Sequence, residues 1–102
     1  MKTSKVTEII SFKLVDGISD DAFLDTVNLT NTFLDSCNGF ISRRLSKGDD
    51  GQWLDHIEWH SMDEARSASE RFMQDKTLMP FMEKIENSTV SMRHNQLLLS
   101  KN

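Results

Sequence analysis

The sequence predicts an α+β domain in which one antiparallel sheet of four strands carries two helices on a single face. In four short segments apolar residues alternate with polar ones, which is the period of a half-buried strand. Two longer segments carry apolar residues at helical spacing, each behind a serine suited to an N-cap. Along the 102 residues these segments follow the order strand, helix, strand, strand, helix, strand.

The first strand and the first helix have clear patterns. The strand is predicted from Val6 to Leu14, and Glu8 shares its apolar side with Phe12. The first helix is predicted to begin after Ser19, where the following aspartates face the positive helix end. Its apolar stripe consists of Phe23, Thr26, Val27, Thr30, Phe33, Leu34 and Cys37.

The second helix is predicted from a capping box. The Ser61 hydroxyl can accept the Glu64 amide, and the Glu64 side chain can reach back to the start of the helix. The face behind it carries small residues, which suits close packing on a sheet. Pro80 lies at the start of a further short helix, so the second helical segment is broken.

The remaining strands complete the order. The second strand begins at Phe40, the third covers Trp53 to His60 after a turn-rich loop, and the fourth lies within Ser88 to Leu99. Two right-handed β-α-β crossovers then interleave into an antiparallel sheet of order 4-1-3-2. This arrangement is a ferredoxin-like βαββαβ fold, and we expect residues 1–102 to form one domain.

Composition and charge argue against several classes of partner. The net charge is -4 and the 12 Lys and Arg residues are scattered, so we expect neither nucleic-acid binding nor attraction to an anionic membrane surface. No stretch approaches the roughly 20 apolar residues of a transmembrane helix. The single cysteine, Cys37, cannot form an internal disulfide, which fits a reducing compartment, and we expect a cytoplasmic protein.

The third strand carries large side chains on both of its sides. Leu54 lies on one side, while Trp53, Ile57 and Trp59 lie on the other. Strands that are apolar on both sides are usually buried on both. A domain of this size has no element of its own for the second side, so we predict a partner, most simply a twofold-related copy. Trp53, beside the hairpin loop, is a candidate anchor of that contact.

Three segments together resemble the dimeric α+β barrel superfamily, near its antibiotic-biosynthesis-monooxygenase-like group: the third strand ending in Trp59, the helix start SMDEARSASERF and the broken helix DKTLMPFMEKI. The resemblance implies two sheets packed face to face in a homodimer, with a pocket in each subunit between sheet and helices. The enzymes of this group include quinol and anthrone oxygenases that use no cofactor, and haem-degrading relatives. Other members have no known activity.

The chain departs from the group at specific positions. Oxygenase members tend to place an asparagine on a central strand near the tryptophan, and often a tyrosine; here the residue four before Trp59 is Asp55, and the chain has no tyrosine. Haem-degrading members carry an axial histidine on the helix after that strand. The corresponding residues 67–71 contain no histidine, so we expect no haem and no other cofactor.

His56 and His94 are the candidate acid–base residues, because only histidine titrates near neutral pH without a perturbing environment. Cofactor-free oxygenation needs a base to make an electron-rich phenolate or enolate, which then passes an electron to O2, and an apolar pocket. Glu8 is the third catalytic candidate: it is placed to orient a histidine on either neighbouring strand. A buried salt bridge is the alternative role for this carboxylate.

Three aromatic residues are candidates for substrate binding, namely Trp59, Phe12 and Phe72. Trp59 is expected either to stack on a flat substrate or to pack beneath the second helix, since large aromatic side chains dominate cores as well. Cys37 lies on the apolar stripe of the first helix and is predicted to be a core residue rather than a nucleophile.

His56, Glu58 and His60 share one side of the third strand in H-x-E-x-H spacing, a pattern that can present metal ligands. Such a site needs convergent geometry and usually a ligand from elsewhere. His94 is the available residue, but the first strand separates it from the third. We therefore predict no metal site and interpret these side chains as a solvated or hydrogen-bonded polar face.

Two functions remain open from the sequence. The leading hypothesis is a cofactor-independent monooxygenase-like protein that acts on a small aromatic or quinol-type molecule. The alternative is a non-catalytic small-ligand-binding or assembly module of the same fold, because a fold alone does not determine a function. The sequence leaves open whether the chain is an enzyme.

Overall fold

A computed structural model describes residues 4–101 of the chain. The strands are β1 (Val6–Phe12), β2 (Phe40–Lys47), β3 (Trp53–Trp59) and β4 (Ser91–Gln96), and the helices are α1 (Asp20–Asp35), α2 (Met62–Gln74) and α3 (Met79–Met82). Short 3-10 turns at Lys76–Leu78 and Asn87–Thr89 precede α3 and β4. Within the described residues, no helix has the length and apolar character to cross a bilayer.

The four strands form one antiparallel sheet in the order β2-β3-β1-β4, which is the predicted order 4-1-3-2 counted from the other edge. The ferredoxin-like βαββαβ prediction is confirmed. β1 lies in the centre, with Val6 opposite Trp59 of β3 and Glu8 opposite His94 of β4. It ends earlier than the sequence predicts, because Leu14 forms only an isolated bridge with Ile85 after the strand.

Alternation along the central strands separates the two faces of the sheet. Every second residue of β3 is buried, namely Trp53, Asp55, Ile57 and Trp59. Their cross-strand neighbours on β1 face the same way, and this buried face packs against the helices. The intervening residues form the second face, which we call the open face; it carries Ile9, Leu54, His56 and Glu58, none of which is buried.

Trp53 belongs to the core, and the prediction that it anchors a subunit contact is wrong. Its ring is stacked with that of Phe12 at 6.4 Å between centroids and meets Phe23 edge-on at 4.9 Å. The reason is the two-residue period of a strand, which places Trp53 on the same side as Ile57 and Trp59. The only large apolar side chain that β3 offers to the open face is Leu54.

The helices approach the sheet through small and apolar residues. Ser19 caps α1 by accepting the Ala22 N–H, as predicted. On α2, Ala65 and Ala68 are buried next to Trp59, which allows the helix backbone to lie close to β3. Cys37 follows α1 and lies in the same cluster, so its prediction as a core residue is confirmed.

The start of α2 has one half of the predicted capping box. The Ser61 hydroxyl accepts the Glu64 N–H at 3.2 Å, as predicted, and that hydroxyl also donates to Glu64 Oε1 at 3.1 Å. The carboxylate of Glu64 thus contacts the hydroxyl rather than the backbone N–H of Ser61. Both bonds depend on the serine side chain.

Replacing Ser61 by alanine should lower the free energy of unfolding by about 1 kcal/mol, because one helix N–H loses its acceptor. Urea denaturation followed by circular dichroism measures the change. Ser67→Ala is the matched control, since Ser67 is exposed within α2 and alanine has the higher helix propensity. Equal losses in both variants would show that the cap contributes nothing specific.

Candidate functional site

A cavity of about 360 Å³ lies between the buried face of the sheet and the helices. Its volume falls within the range of small-molecule sites. The walls are mainly apolar, and the aromatic lining residues are Phe12, Phe33, Trp59, Phe72 and Phe81. Three charged residues also line it, namely Glu8, Arg43 and Asp55. Buried charges in an apolar wall need partners, which the adjacent strands and helices provide.

Glu8 and His94 form the first pair of ionisable side chains. They lie directly opposite each other on β1 and β4, and the distance between Glu8 Oε2 and His94 Nε2 is 2.8 Å. The Glu8 side chain is 5% exposed, whereas that of His94 is 19% exposed because β4 is an edge strand. Glu8 lines the cavity, and His94 contacts it from behind without lining the cavity itself.

Two further groups donate hydrogen bonds to the Glu8 carboxylate. The indole N–H of Trp59 donates to Oε1 at 3.4 Å, and the Ser69 hydroxyl donates to Oε2 at 3.5 Å. Both distances are long for hydrogen bonds, so these contacts orient the carboxylate more than they stabilise its charge. Oε1 has only the long indole contact, so it is the oxygen with more capacity to accept a further hydrogen bond.

Arg43 and Asp55 form the second pair, between β2 and β3. Arg43 Nε donates to Asp55 Oδ1 at 3.1 Å, and Nη2 donates to Oδ2 at 2.8 Å. This is the parallel two-bond geometry in which arginine holds a carboxylate most firmly. The remaining guanidinium nitrogen donates to the Thr30 hydroxyl and to Asn31 Oδ1 of α1. Arg43 thus makes four hydrogen bonds, two within the sheet and two to α1.

Cys37 lies outside this charged layer. Burial raises the pKa of its thiol, while the neighbouring Arg71 guanidinium and the Ser36 hydroxyl act in the opposite direction. The thiol Sγ lies 3.6 Å from Arg71 Nη1 and is buried in the core. A buried thiol with a raised pKa remains protonated near neutral pH and is a poor nucleophile.

No family model and no curated protein sequence matches the chain. Solved structures do. A candidate antibiotic biosynthesis monooxygenase from Bordetella bronchiseptica aligns over 95% of this chain and 100% of its own, with a TM-score of 0.76 and 16% identity. A candidate monooxygenase from Shewanella loihica PV-4 aligns over 98% and 100%, with a TM-score of 0.71 and 17% identity.

SnoaB, a cofactor-independent oxygenase from Streptomyces nogalater, aligns over 98% of this chain and 97% of its own, with a TM-score of 0.65 and 15% identity. The chain has the fold of these monooxygenase structures. This confirms, at the level of the fold, the resemblance that Trp59 and the segments after it indicate. At such low identity the likeness concerns the backbone and carries no site residue from one chain to another.

The structure brings most of the sequence-predicted site residues together. Glu8, Phe12, Trp59 and Phe72 all line the cavity, and His94 contacts it through Glu8. The indole of Trp59 packs edge-on against Phe40 and is only 1% exposed, so this residue belongs to the core and to the cavity wall at once. The two roles considered for Trp59 are compatible.

His56 is the candidate that lies apart from the others. It is opposite Ile9 on β1 and Arg44 on β2, and its side chain is on the open face. Its catalytic role stays a prediction, without a contact to the cavity. Glu58 shares the open face, and His60 follows the end of β3 and is exposed. Among residues 4–101, no three His, Cys, Asp or Glu side chains are grouped as metal ligands would be.

The sequence did not identify Arg43 as a site residue, and it indicated Asp55 only as a departure from an asparagine. Asp55 carried a signal, because it alternates with Ile57 and Trp59 on the buried side of β3. No sequence signal identified Arg43, because β2 is polar along most of its length. The pairing of β2 with β3 also has an irregularity between Phe40 and Ser42. The partner of Arg43 follows only from the register of the two strands.

Replacing Arg43 by methionine should lower the free energy of unfolding by about 3 kcal/mol or more, because Asp55 then remains buried without a partner. The double variant Arg43→Met/Asp55→Leu should recover most of that loss, since neither member of the pair then remains buried without its partner. Thermal and urea denaturation of both proteins test the coupling. Additive losses in the double variant would mean that the pair does not act as a unit.

Proposed function

We propose that the chain binds a small aromatic or quinol-type molecule in the cavity and oxidises it with O2, without a cofactor. The observation that carries the proposal is the Glu8 carboxylate in the wall of a mainly apolar cavity, with His94 in contact behind it. A proton acceptor within an apolar site is what this chemistry requires. The shared fold with a cofactor-independent oxygenase supports the reaction class.

In the proposed reaction, Glu8 takes the proton. The Glu8 carboxylate lines the cavity, and a ligand hydroxyl placed against Oε1 gives its proton to that oxygen. His94 orients the carboxylate through the 2.8 Å contact, and its partly exposed ring connects Glu8 to solvent at the sheet edge. Glu8 is thus the acid–base residue of the proposal, and His94 is its positioning partner.

The deprotonated ligand then reacts with O2. The electron-rich phenolate or enolate passes one electron to O2, and the two radicals combine to form a carbon–oxygen bond. The proton held by Glu8 returns to the peroxide, and loss of water leaves a carbonyl group. One oxygen atom enters the ligand and the other leaves as water. The apolar walls keep water away from these intermediates.

The aromatic walls suit a flat ligand. Phe12 extends from β1 and Phe72 from α2, while the Trp59 indole lies beside Glu8. Aromatic rings favour offset-stacked and edge-to-face contacts with one another. The exposed rim of the cavity includes Met73 and Met92, whose flexible side chains adapt to ligands of different outline.

We infer that the open face is covered by a second copy of the chain. Ile9 of β1 and Leu54 of β3 are apolar residues on neighbouring strands of this face. Neither is buried within one chain. The resemblance to dimeric α+β barrels implies the same contact, with the sheets face to face. We also infer a cytoplasmic location, because the single cysteine fits a reducing compartment.

A non-catalytic ligand-binding module is the second candidate function, and one observation favours it. The oxygenases that the chain resembles tend to have an asparagine where this chain has Asp55, and here that carboxylate is held by Arg43. A ligand in this cavity therefore meets a closed ion pair instead of a free amide. The same cavity serves binding without turnover.

Replacing Glu8 by glutamine should reduce oxygen consumption by about 100-fold or more, because the amide cannot take the proton. The measurement uses an oxygen electrode with anthrone or 1,4-naphthohydroquinone, corrected for oxidation without protein. His60→Gln is the control, since His60 is exposed outside the cavity, and it should retain the wild-type rate.

The result also separates the two candidate functions. Wild-type protein that binds these compounds but consumes no oxygen above the uncatalysed rate would favour the non-catalytic module. Equal rates for wild type and Glu8→Gln would remove Glu8 from the mechanism. Turnover that is lost only in His56→Ala would indicate that the reaction takes place on the open face.

Light scattering coupled to gel filtration should give a mass of twice the 11.7 kDa of one chain. Leu54→Glu should reduce the mass to that of a single chain, because it introduces a charge into the contact between sheets. Leu24→Glu is the matched control: Leu24 is a partly exposed leucine of α1, and its replacement should leave the dimer intact. A wild-type protein of single-chain mass would contradict the inferred contact.

A further inference from the structure

The charged groups around the cavity are already matched to one another. Arg43 is the only cation among the lining residues, and its guanidinium donates two parallel hydrogen bonds to Asp55. His94, which lies behind the cavity wall, is in hydrogen-bond contact with Glu8. In residues 4–101 no buried side-chain nitrogen or oxygen lacks a hydrogen-bond partner. The layer between sheet and helices thus presents no free cation to a ligand.

We propose that Asp55 is a specificity-determining residue that restricts the cavity to uncharged ligands by holding the Arg43 guanidinium. The proposal rests on the proposed use of the cavity as a ligand site. It concerns the charge of the ligand and holds for a catalytic or a non-catalytic protein. In chemical terms, the cavity takes a neutral aromatic hydroxyl compound and rejects the same ring system when it carries a carboxylate.

The hydrogen bonds of Arg43 leave no free edge for a ligand carboxylate. A guanidinium has five N–H groups, and four of them are directed to Asp55, Thr30 and Asn31. The edge formed by Nε and Nη2, with which arginine recognises a carboxylate, is filled by Asp55. A ligand carboxylate would have to displace the carboxylate of Asp55, which would then remain buried and unpaired.

Two carboxylates already line the cavity. Glu8 is opposite Ile57 in the β1–β3 register, and Asp55 is the next residue of β3 on the same face. Diagonal neighbours of this kind have Cα atoms roughly 7 to 8 Å apart, so both carboxylates act on the same small cavity. A third carboxylate would lose its hydration shell and be repelled by both.

Matched ligands test the proposal. 2-Naphthamide and 2-naphthoate have the same rings and similar outlines, but the acid is ionised at neutral pH. Isothermal titration calorimetry of the wild-type protein should give an affinity for the amide at least about tenfold above that for the acid anion. Smaller probes, benzamide and benzoate, repeat the comparison in case the naphthalene rings exceed the cavity.

Asp55→Asn should remove the preference. The variant keeps the size of the side chain and leaves Arg43 without its counter-charge, so naphthoate should bind at least about tenfold more tightly than to the wild type. Affinity for naphthamide should change by less than about threefold. Glu58→Gln is the matched control, because it removes one negative charge from the same strand on the open face and should alter neither affinity.

A second variant covers the case in which Asp55→Asn does not fold. Arg43→Met/Asp55→Leu removes both charges, so naphthamide should still bind and naphthoate should remain at least about tenfold weaker. Circular dichroism establishes that each variant is folded before titration.

The outcomes separate this inference from the proposed function. Wild-type protein that binds amide and acid anion equally would overturn the role of Asp55 while leaving the cavity as a ligand site. A folded Asp55→Asn protein that still rejects naphthoate would do the same. No binding of any of the four probes would overturn both the ligand site and this inference.

Discussion

The burial of two carboxylates in an apolar layer is the constraint on which the rest of this structure depends. Glu8 and Asp55 are 4% and 3% exposed, on the two central strands, and both face the helices. A carboxylate in such surroundings is tolerated only with a counter-charge and hydrogen bonds. The partners, His94 and Arg43, come from the two edge strands, so each outer strand is tied to the centre by a pair of ionisable side chains.

These pairs also specify the register of the sheet. His94 is directly opposite Glu8, and Arg43 reaches Asp55 from a position opposite Ile57. A slip of one residue on either edge strand would move its charged side chain to the open face and leave a carboxylate unpaired. Apolar alternation alone would not prevent this on β2, whose residues are mostly polar. The ion pair provides the specificity that the hydrophobic pattern lacks.

Much of the fold could be predicted from the sequence, because its signals are local. Alternation in VTEIISF, the Ser19 cap and the Ser61 cap each depend on residues within one or two turns of one another. Glu8 and Trp59 were identifiable for the same reason. The position of His56 was also available, since it alternates with Ile57, and the error over Trp53 came from weighing its loop position above that alternation.

The remainder of the site could not be predicted, because it depends on distances between segments far apart in the chain. The sequence placed Glu8 to orient a histidine on either neighbouring strand, but the choice of His94, 86 positions away, requires the β1–β4 register. The Arg43–Asp55 pair depends in the same way on pairing next to an irregularity of β2. The cavity itself reflects how closely α2 approaches the sheet, which Ala65 and Ala68 permit and no local pattern measures.

The charge balance of the cavity links its proposed selectivity to its proposed chemistry. A neutral hydroxyl compound adds no charge on entry, so the two existing pairs remain intact. When its proton passes to Glu8, the negative charge moves from the carboxylate to the ligand, and the sum of charges in the layer is unchanged. His94, on the solvent side of Glu8, then faces a neutral acid, with the new anion just beyond it. An acid that entered already ionised would instead add a charge for which the layer holds no partner, and the reaction would begin from a state that the protein cannot stabilise.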